Sequence, residues 1–184
     1  MKFIFDFDDV LFHTTKHFRE HLLVVLEKIG ISRDFVIEYL EKERWKLLSL
    51  KKLVTHFVND DKENIYKEIM GKNKDFLNDD LFILIKKLGK SNCYIVTYGE
   101  EEFQKDKIKR TGIASLFSEI IVVPGSKKEA IEKICAKHKN EEVIFIDDKA
   151  HHFKDLDFKK YPNLKTILYD DKGLEKLTSI LPQS

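Results

Sequence analysis

Two carboxylates, one residue apart, close an apolar run near the head of the chain, Lys2-Phe3-Ile4-Phe5-Asp6-Phe7-Asp8-Asp9-Val10-Leu11. A strand so short and apolar belongs inside a sheet, so its C-terminal end delivers Asp6 and Asp8 to the edge where open α/β sheets bind ligands. Carboxylates this crowded repel one another and raise at least one pKa unless a cation sits among them. The pattern therefore asks for a hard ion such as Mg²⁺. A solvated acidic turn is the other reading of the same residues. An EF-hand loop is excluded, because its third liganding position falls on Val10 and its turn glycine on Leu11.

Other apolar runs end in the same way. Tyr94-Ile95-Val96 leads into Thr97-Tyr98-Gly99, Ile121-Val122-Val123 leads through Pro124-Gly125-Ser126 to Lys127, and Val143-Ile144-Phe145-Ile146 ends in Asp147-Asp148. In a parallel sheet these tips share one edge, which brings two acidic clusters, a hydroxyl and an amine to a single crevice. Each residue has a plainer reading beside that one. Thr97 alone fits an ordinary strand end, and Asp147 with Asp148 fits a cap on the following segment. Lys127 fits a solvated first-turn lysine, although a cation is mildly unfavourable at a helix N-terminus, and its neighbour Lys128 competes for the role.

The elements that must position these residues are legible from periodicity. Short apolar segments bounded by breakers run from Asn92 to Val96, Glu119 to Val123, Glu142 to Ile146 and Leu164 to Leu168. Amphipathic helical stretches lie between and after them, at Glu101 to Thr111, Lys127 to His138 and Lys172 to Leu181. Strand alternating with helix predicts an α/β fold: a three-layer, Rossmann-like parallel sheet with right-handed crossovers and strands buried on both faces. From Thr14 to Asp79 the strand signal disappears and helical patterns such as Phe18, Leu22, Val25, Leu26 and Ile29 take over. Breaks at Gly30, Asn59-Asp60-Asp61 and Gly71-Lys72-Asn73 divide this stretch into a bundle of four helices. The expected organisation is an α/β core from residues 1–13 and 80–184, with a helical cap at 14–79.

Taken together, the strand-end residues resemble the haloacid dehalogenase superfamily of Mg²⁺-dependent phosphatases and phosphotransferases, all four of whose signature motifs find a match in order. Asp6-Phe7-Asp8 matches the first, Thr97 the second, Lys127 the third and Asp147-Asp148 the fourth. The text between the second and third motifs is similar too, with Thr97-Tyr98-Gly99, Phe103-Gln104, Lys107, Thr111-Gly112-Ile113 and Leu116-Phe117. The resemblance implies hydrolysis of a small-molecule phosphate monoester through an aspartyl-phosphate, with Asp6 as nucleophile and Asp8 as general acid and then base. It implies Mg²⁺ held by Asp6, Asp148 and the backbone carbonyl of Asp8, with Asp147 acting through water. Thr97 and Tyr98 would bind the phosphate, and Lys127 would neutralise the transferring group. The resemblance implies Lys127 rather than Lys128, because Ser126-Lys127-Lys128-Glu129-Ala130-Ile131 matches the family's spacing from lysine to the apolar face of the helix. Phosphate transfer to another acceptor, as in a mutase, is an alternative on the same site, and so is a non-catalytic binding module. A dehalogenase is disfavoured by Asp8, which those enzymes lack.

This chain departs from the family pattern at three positions. Asp9 stands where Gly is frequent, and Val10 replaces a frequent Thr. His152 occupies the place of an acidic residue, with Asp155 nearby as a substitute. Two further clusters invite functional readings. His13, His17 and His21 share a helical face, a spacing that can bind Zn²⁺, but no Cys or acid completes the set. Arg44-Trp45-Lys46 offers an aromatic platform between cations as a cap contact for substrate, or else Trp45 anchors the bundle.

Composition narrows the classes. With 33 basic and 32 acidic side chains there is no electrostatic case for nucleic-acid or membrane binding, and small phosphorylated metabolites are the expected partners. No apolar stretch approaches the roughly 20 residues that span a bilayer. The acids at positions 6, 8 and 9 interrupt any signal-peptide core. Cys93 and Cys135 read as small core residues rather than a disulfide. A cytoplasmic monomer or weak homodimer is expected.

Overall fold

The computed structural model describes residues 1–43 and 47–181. Five parallel strands, β1 (Lys2–Phe5), β2 (Cys93–Tyr98), β3 (Glu119–Val123), β4 (Val143–Asp147) and β5 (Leu164–Leu168), form one sheet in the order β3-β2-β1-β4-β5. Between β1 and β2 lie helices α1 (Arg19–Lys28), α2 (Arg33–Glu43), α3 (Leu50–Phe57), α4 (Lys62–Gly71) and α5 (Asp79–Leu88). Helices α6 (Glu101–Thr111), α7 (Lys128–Lys137) and α8 (Gly173–Ser179) follow β2, β3 and β5. None of these helices is long and apolar enough to cross a membrane.

The unbroken apolar runs are explained by burial on both faces. Phe3, Phe5, Cys93, Ile95, Ile144 and Ile146 enter one core with residues of α5, α6 and α8. Their alternates Ile4, Tyr94, Val96, Val143 and Phe145 enter the other, against Ala130, Ile131, Ile134 and Cys135 of α7. The two cysteines are free and buried, one in each core.

From β1 the chain steps outward to β2 and β3, then returns to place β4 on the other flank of β1. The strand order reverses there, and such a point opens a crevice beyond the strand ends. Asp6, whose N–H donates to Ile146 O at 2.9 Å, and Asp147 with Asp148 line that crevice from the two sides.

Immediately after β1 the chain folds back on itself. Asp9 adopts a left-handed φ of 57°, a region that Gly enters freely and that Asp tolerates better than most residues. Its carboxylate accepts from Thr15 N–H at 2.8 Å and Thr15 Oγ1 at 2.6 Å, and the Phe7 and Phe12 rings stack at 5.1 Å. Residues Thr14–Phe18 then form a π-helical turn before α1. Helices α1 to α4 pack on one another and reach α6 through Tyr66, whose hydroxyl donates to Asp106 at 2.7 Å, and through an ion pair of Lys51 with Glu102. Helix α5, which the periodicity reading does not single out, begins at the N-cap Asn78; its side chain accepts from Leu81 N–H at 3.2 Å and donates to Val10 O at 3.1 Å.

Candidate active site

Asp6 follows β1 directly and is only 3% exposed. Oδ1 accepts from Phe7 N–H at 2.7 Å and pairs with Lys127 Nζ at 2.8 Å, while Oδ2 makes no hydrogen bond among the described residues. Lys127 sits at the N-cap of α7 and points inward, only 2% exposed, and bridges Asp6 to Asp147 Oδ2 at 2.7 Å. An ammonium at a helix N-terminus is explained by these two buried carboxylates. Lys128 instead turns to the half-exposed pair with Glu132 at 3.8 Å.

The acidic pair after β4 divides its work. Asp147 is fully buried and saturated: Oδ1 accepts from Lys149 N–H at 2.8 Å, and Oδ2 meets both Lys127 and His152 Nδ1, the latter at 2.8 Å. His152, at the position where an acid is expected, therefore braces Asp147, while Asp155 is exposed on the rim of the same cavity. Asp148 has a buried Oδ1 with no partner. Ligand atoms of Asp6, Asp147 and Asp148 lie within 4.8 Å of one another, the only such group of potential metal ligands among the described residues. Three oxygen donors with an unpartnered buried oxygen fit a hard divalent cation such as Mg²⁺. His13, His17 and His21 are engaged otherwise. His13 and His17 contact edge to face at 5.2 Å, and His21 Nε2 lies 3.2 Å from Glu68 O.

Thr97 is fully buried at the end of β2, and its Oγ1 has no hydrogen-bond partner. With Asp6, Asp8, Tyr98, Lys127, Lys149 and His152 it lines a cavity of about 540 Å³. A second cavity of about 320 Å³ lies between α1, α2 and α6, and Asp8 and Tyr98 line both. Arg44 and Trp45, the proposed cap contacts, lie outside the described residues.

Asp8 is held by groups that sequence reasoning did not assign to the site. Lys107 Nζ and Thr14 Oγ1 both donate to Oδ1, and Gln104 Nε2 donates to Oδ2 at 2.6 Å. Lys107 is 1% exposed, with its ammonium 4.9 to 5.8 Å from the ring centroids of Phe7, Phe12, Phe18 and Phe103. A lysine in such an aromatic box has one acid to pair with. Gln104 in turn is set by the close approach of Gly99, where any Cβ would stand 2.5 Å from Gln104 Cγ. The usable signal was that Gln104 and Lys107 lie one turn apart on the buried face of α6.

These surroundings separate the two carboxylates. Burial pushes Asp6 up to about 6; Lys127 opposes this and the charges of Asp147 and Asp8 reinforce it. Burial also pushes Asp8 up, but the Lys107 ammonium and the hydrogen bonds from Lys107, Thr14 and Gln104 outweigh it and hold Asp8 below the usual carboxylate range. Asp147 is likewise held low: burial raises it, and His152 and Lys127 more than offset that. Asp148, with burial and the Asp147 and Asp9 charges against it and only partial relief from Lys149, is raised.

No family model and no curated protein matches the chain. Solved structures do. A haloacid dehalogenase-like hydrolase of Burkholderia xenovorans LB400 superposes with a TM-score of 0.67 at 15% identity, covering 95% of this chain and 89% of the other. A hydrolase from Streptococcus pneumoniae TIGR4 gives 0.60 at 16% identity, with 97% and 98% covered. A HAD hydrolase of Bacillus subtilis bound to magnesium gives 0.58 at 19% identity, with 99% and 98% covered.

Proposed function

We propose that this chain, whose fold is that of the haloacid dehalogenase-like hydrolases, is a phosphatase acting on a small-molecule phosphate monoester. The observation that carries the reading is a fully buried Thr97 Oγ1 without a partner, in one cavity with Asp6, whose Oδ1 alone is engaged among the described residues. An orphaned buried hydroxyl costs free energy unless a ligand completes it, and a phosphoryl oxygen is the acceptor that suits it.

In this reading Asp6 Oδ2 attacks phosphorus. The new bond to Asp6 forms as the ester oxygen departs, which splits a hard hydrolysis into two displacements. Asp8 donates a proton to the departing oxygen. It then takes one from the water that releases inorganic phosphate and restores Asp6. Asp8 is held ionised at rest, as the second step requires, and the arrival of an anionic phosphate beside it raises its affinity for the proton that the first step consumes. Lys127 supplies positive charge next to the transferring group, and Thr97 donates to a phosphoryl oxygen. Asp6 and Asp148 would hold Mg²⁺ directly, with the backbone carbonyl of Asp8, while Asp147, already saturated, would act indirectly and keep Lys127 in place. When bound there, the ion keeps Asp6 ionised and offsets repulsion between phosphate and carboxylates. Residues 14–79 serve as a cap that excludes water from the first step and selects the leaving group.

The test is release of inorganic phosphate from a panel of phosphomonoesters, with and without Mg²⁺, for wild type, Asp6→Asn and Asp8→Asn. Magnesium-dependent turnover lost in both variants is the expected result. Phosphate that leaves the substrate only when another acceptor is supplied would make the protein a transferase, and no turnover by a folded protein that binds Mg²⁺ would refute catalysis.

A further inference from the structure

The cavity between α1, α2 and α6 meets the phosphate-side cavity at Asp8 and Tyr98, so a group bonded to a phosphate at Asp6 has a way past Asp8 into it. Its walls are mostly carbon: Phe18, Leu22, Leu40, Leu47, Leu48 and Phe103. At about 320 Å³ it has room for about ten groups of water size, at ~30 Å³ each.

Among the described residues, the polar groups in these walls are largely spent. Thr14 Oγ1 and Lys107 Nζ donate to Asp8, Thr15 Oγ1 donates to Asp9, and Gln104 Nε2 donates to Asp8 and to Tyr98 O. Among the described residues lining it, Gln104 Oε1 is the one buried acceptor without a partner. A leaving group rich in hydroxyls would bury them here unpaired, at a cost that an apolar skeleton avoids. Charge is distributed differently. Glu43 on the rim has a partner of its own. Arg19, half-buried in the wall, forms no ion pair among the described residues. An unpaired guanidinium beside an apolar cavity matches a planar anion such as a carboxylate.

We propose that this second cavity is the leaving-group site and that it takes an apolar carbon skeleton of aryl size bearing one anionic substituent, held by Arg19. The inference rests on the phosphatase reading, and two readouts keep their failures apart. Phosphate release in Mg²⁺ is measured for 4-carboxyphenyl phosphate, phenyl phosphate and glycerol 1-phosphate with wild type, Arg19→Met and Arg19→Lys. In parallel, NMR titration measures direct binding of the free alcohols 4-hydroxybenzoate and phenol.

The carboxylated aryl ester is expected to exceed phenyl phosphate in kcat/KM by about tenfold or more, with the glycerol ester last. Arg19→Met collapses the carboxyl-to-phenyl ratio towards one, and Arg19→Lys retains part of it. In the titration, 4-hydroxybenzoate binds about tenfold more tightly than phenol, a preference that Arg19→Met removes. A glycerol ester turned over best, or equal binding of the two alcohols by wild type, overturns the proposal. The binding preference without turnover of any ester supports the pocket assignment and refutes the phosphatase reading; turnover without the preference does the reverse.

Discussion

Replacing Lys127 by Met removes an ammonium while keeping most of the volume, and leaves Asp6 and Asp147 facing each other in a dry site. At 2.8 and 2.7 Å, each contact is worth roughly 6 kcal/mol at an effective dielectric constant near 20. The cost of taking the ammonium out of water cancels much of that sum, and buried pairs broken in this way lose about 3–5 kcal/mol net. Domains of this kind are stable by about 5–15 kcal/mol, which makes the change visible in urea unfolding. The deficit should depend on pH in a definite direction. Asp6 is raised in the folded state, to about 6, so its contribution is present at low pH and lost as pH rises through that value. Without Lys127 it rises further, and the native state bears a larger penalty near pH 8 than near pH 5. Asp147, held low, contributes in the opposite sense, and its share is lost as pH falls. Its loss of Lys127 therefore also shows most at high pH. Added Mg²⁺ should stabilise the variant, since binding to the folded state alone adds about 2.7 kcal/mol at one hundred times its Kd. A variant within about 0.5 kcal/mol of wild type near pH 8 without Mg²⁺, a change below the range for broken buried pairs, would refute the reasoning.

Gly99→Ala places a Cβ 2.5 Å from Gln104 Cγ and should push Gln104 off Asp8, lowering kcat about tenfold or more while the protein stays folded; unchanged kcat would count against a role for Gln104. Tyr66→Phe deletes the 2.7 Å hydrogen bond to Asp106 and should cost about 1 kcal/mol in urea unfolding, a modest amount because Arg110 still pairs with Asp106 at 2.9 Å. Burial pushes the Cys93 and Cys135 thiols up to about 12 and about 11, so neither should react with a thiol reagent until the chain is unfolded. Rapid labelling of either in the native protein would contradict their place in the two cores.

What could be read from the chain alone follows from how local each signal is. The inner strands are found almost to the residue because burial on both faces writes a continuous apolar run, and β2 exceeds its apolar run only by Thr97 and Tyr98, whose polarity hides them; the edge strand β3 keeps its apolar run although it is half-exposed. The strand-end acids, Thr97 and Lys127 were visible for the same reason: each interrupts a local pattern. The grip on Asp8 was not, because it comes from Lys107 and Gln104, 99 and 96 residues away, whose types on a charged helix suggest solvent. The π-helical turn that aims Thr14 at Asp8 has no sequence signature, and α5 merges into the helical stretch before it. His152 was flagged as a departure, and its contact with Asp147 could be seen only once the loop after β4 was in place.

The sheet order also bears on how the protein is made. The strand ending at Asp6 is synthesised before both of its neighbours, pairing with Ile95 and Ile146 from Phe5. At about 5–20 residues per second, the second neighbour leaves the ribosome roughly 7 to 28 seconds after the first strand. For roughly the first 5 to 18 seconds, until Ile95 is made, Phe3, Ile4 and Phe5 have neither edge covered, and one edge stays open until the second neighbour follows, which is the condition under which strands seek partners on other chains. The acids at the tip and Lys2 at the base then act as gatekeepers for the nascent chain, since they flank the apolar run with charge. The carboxylates that make the site would thus also protect its first strand from misassembly before there is any site to make.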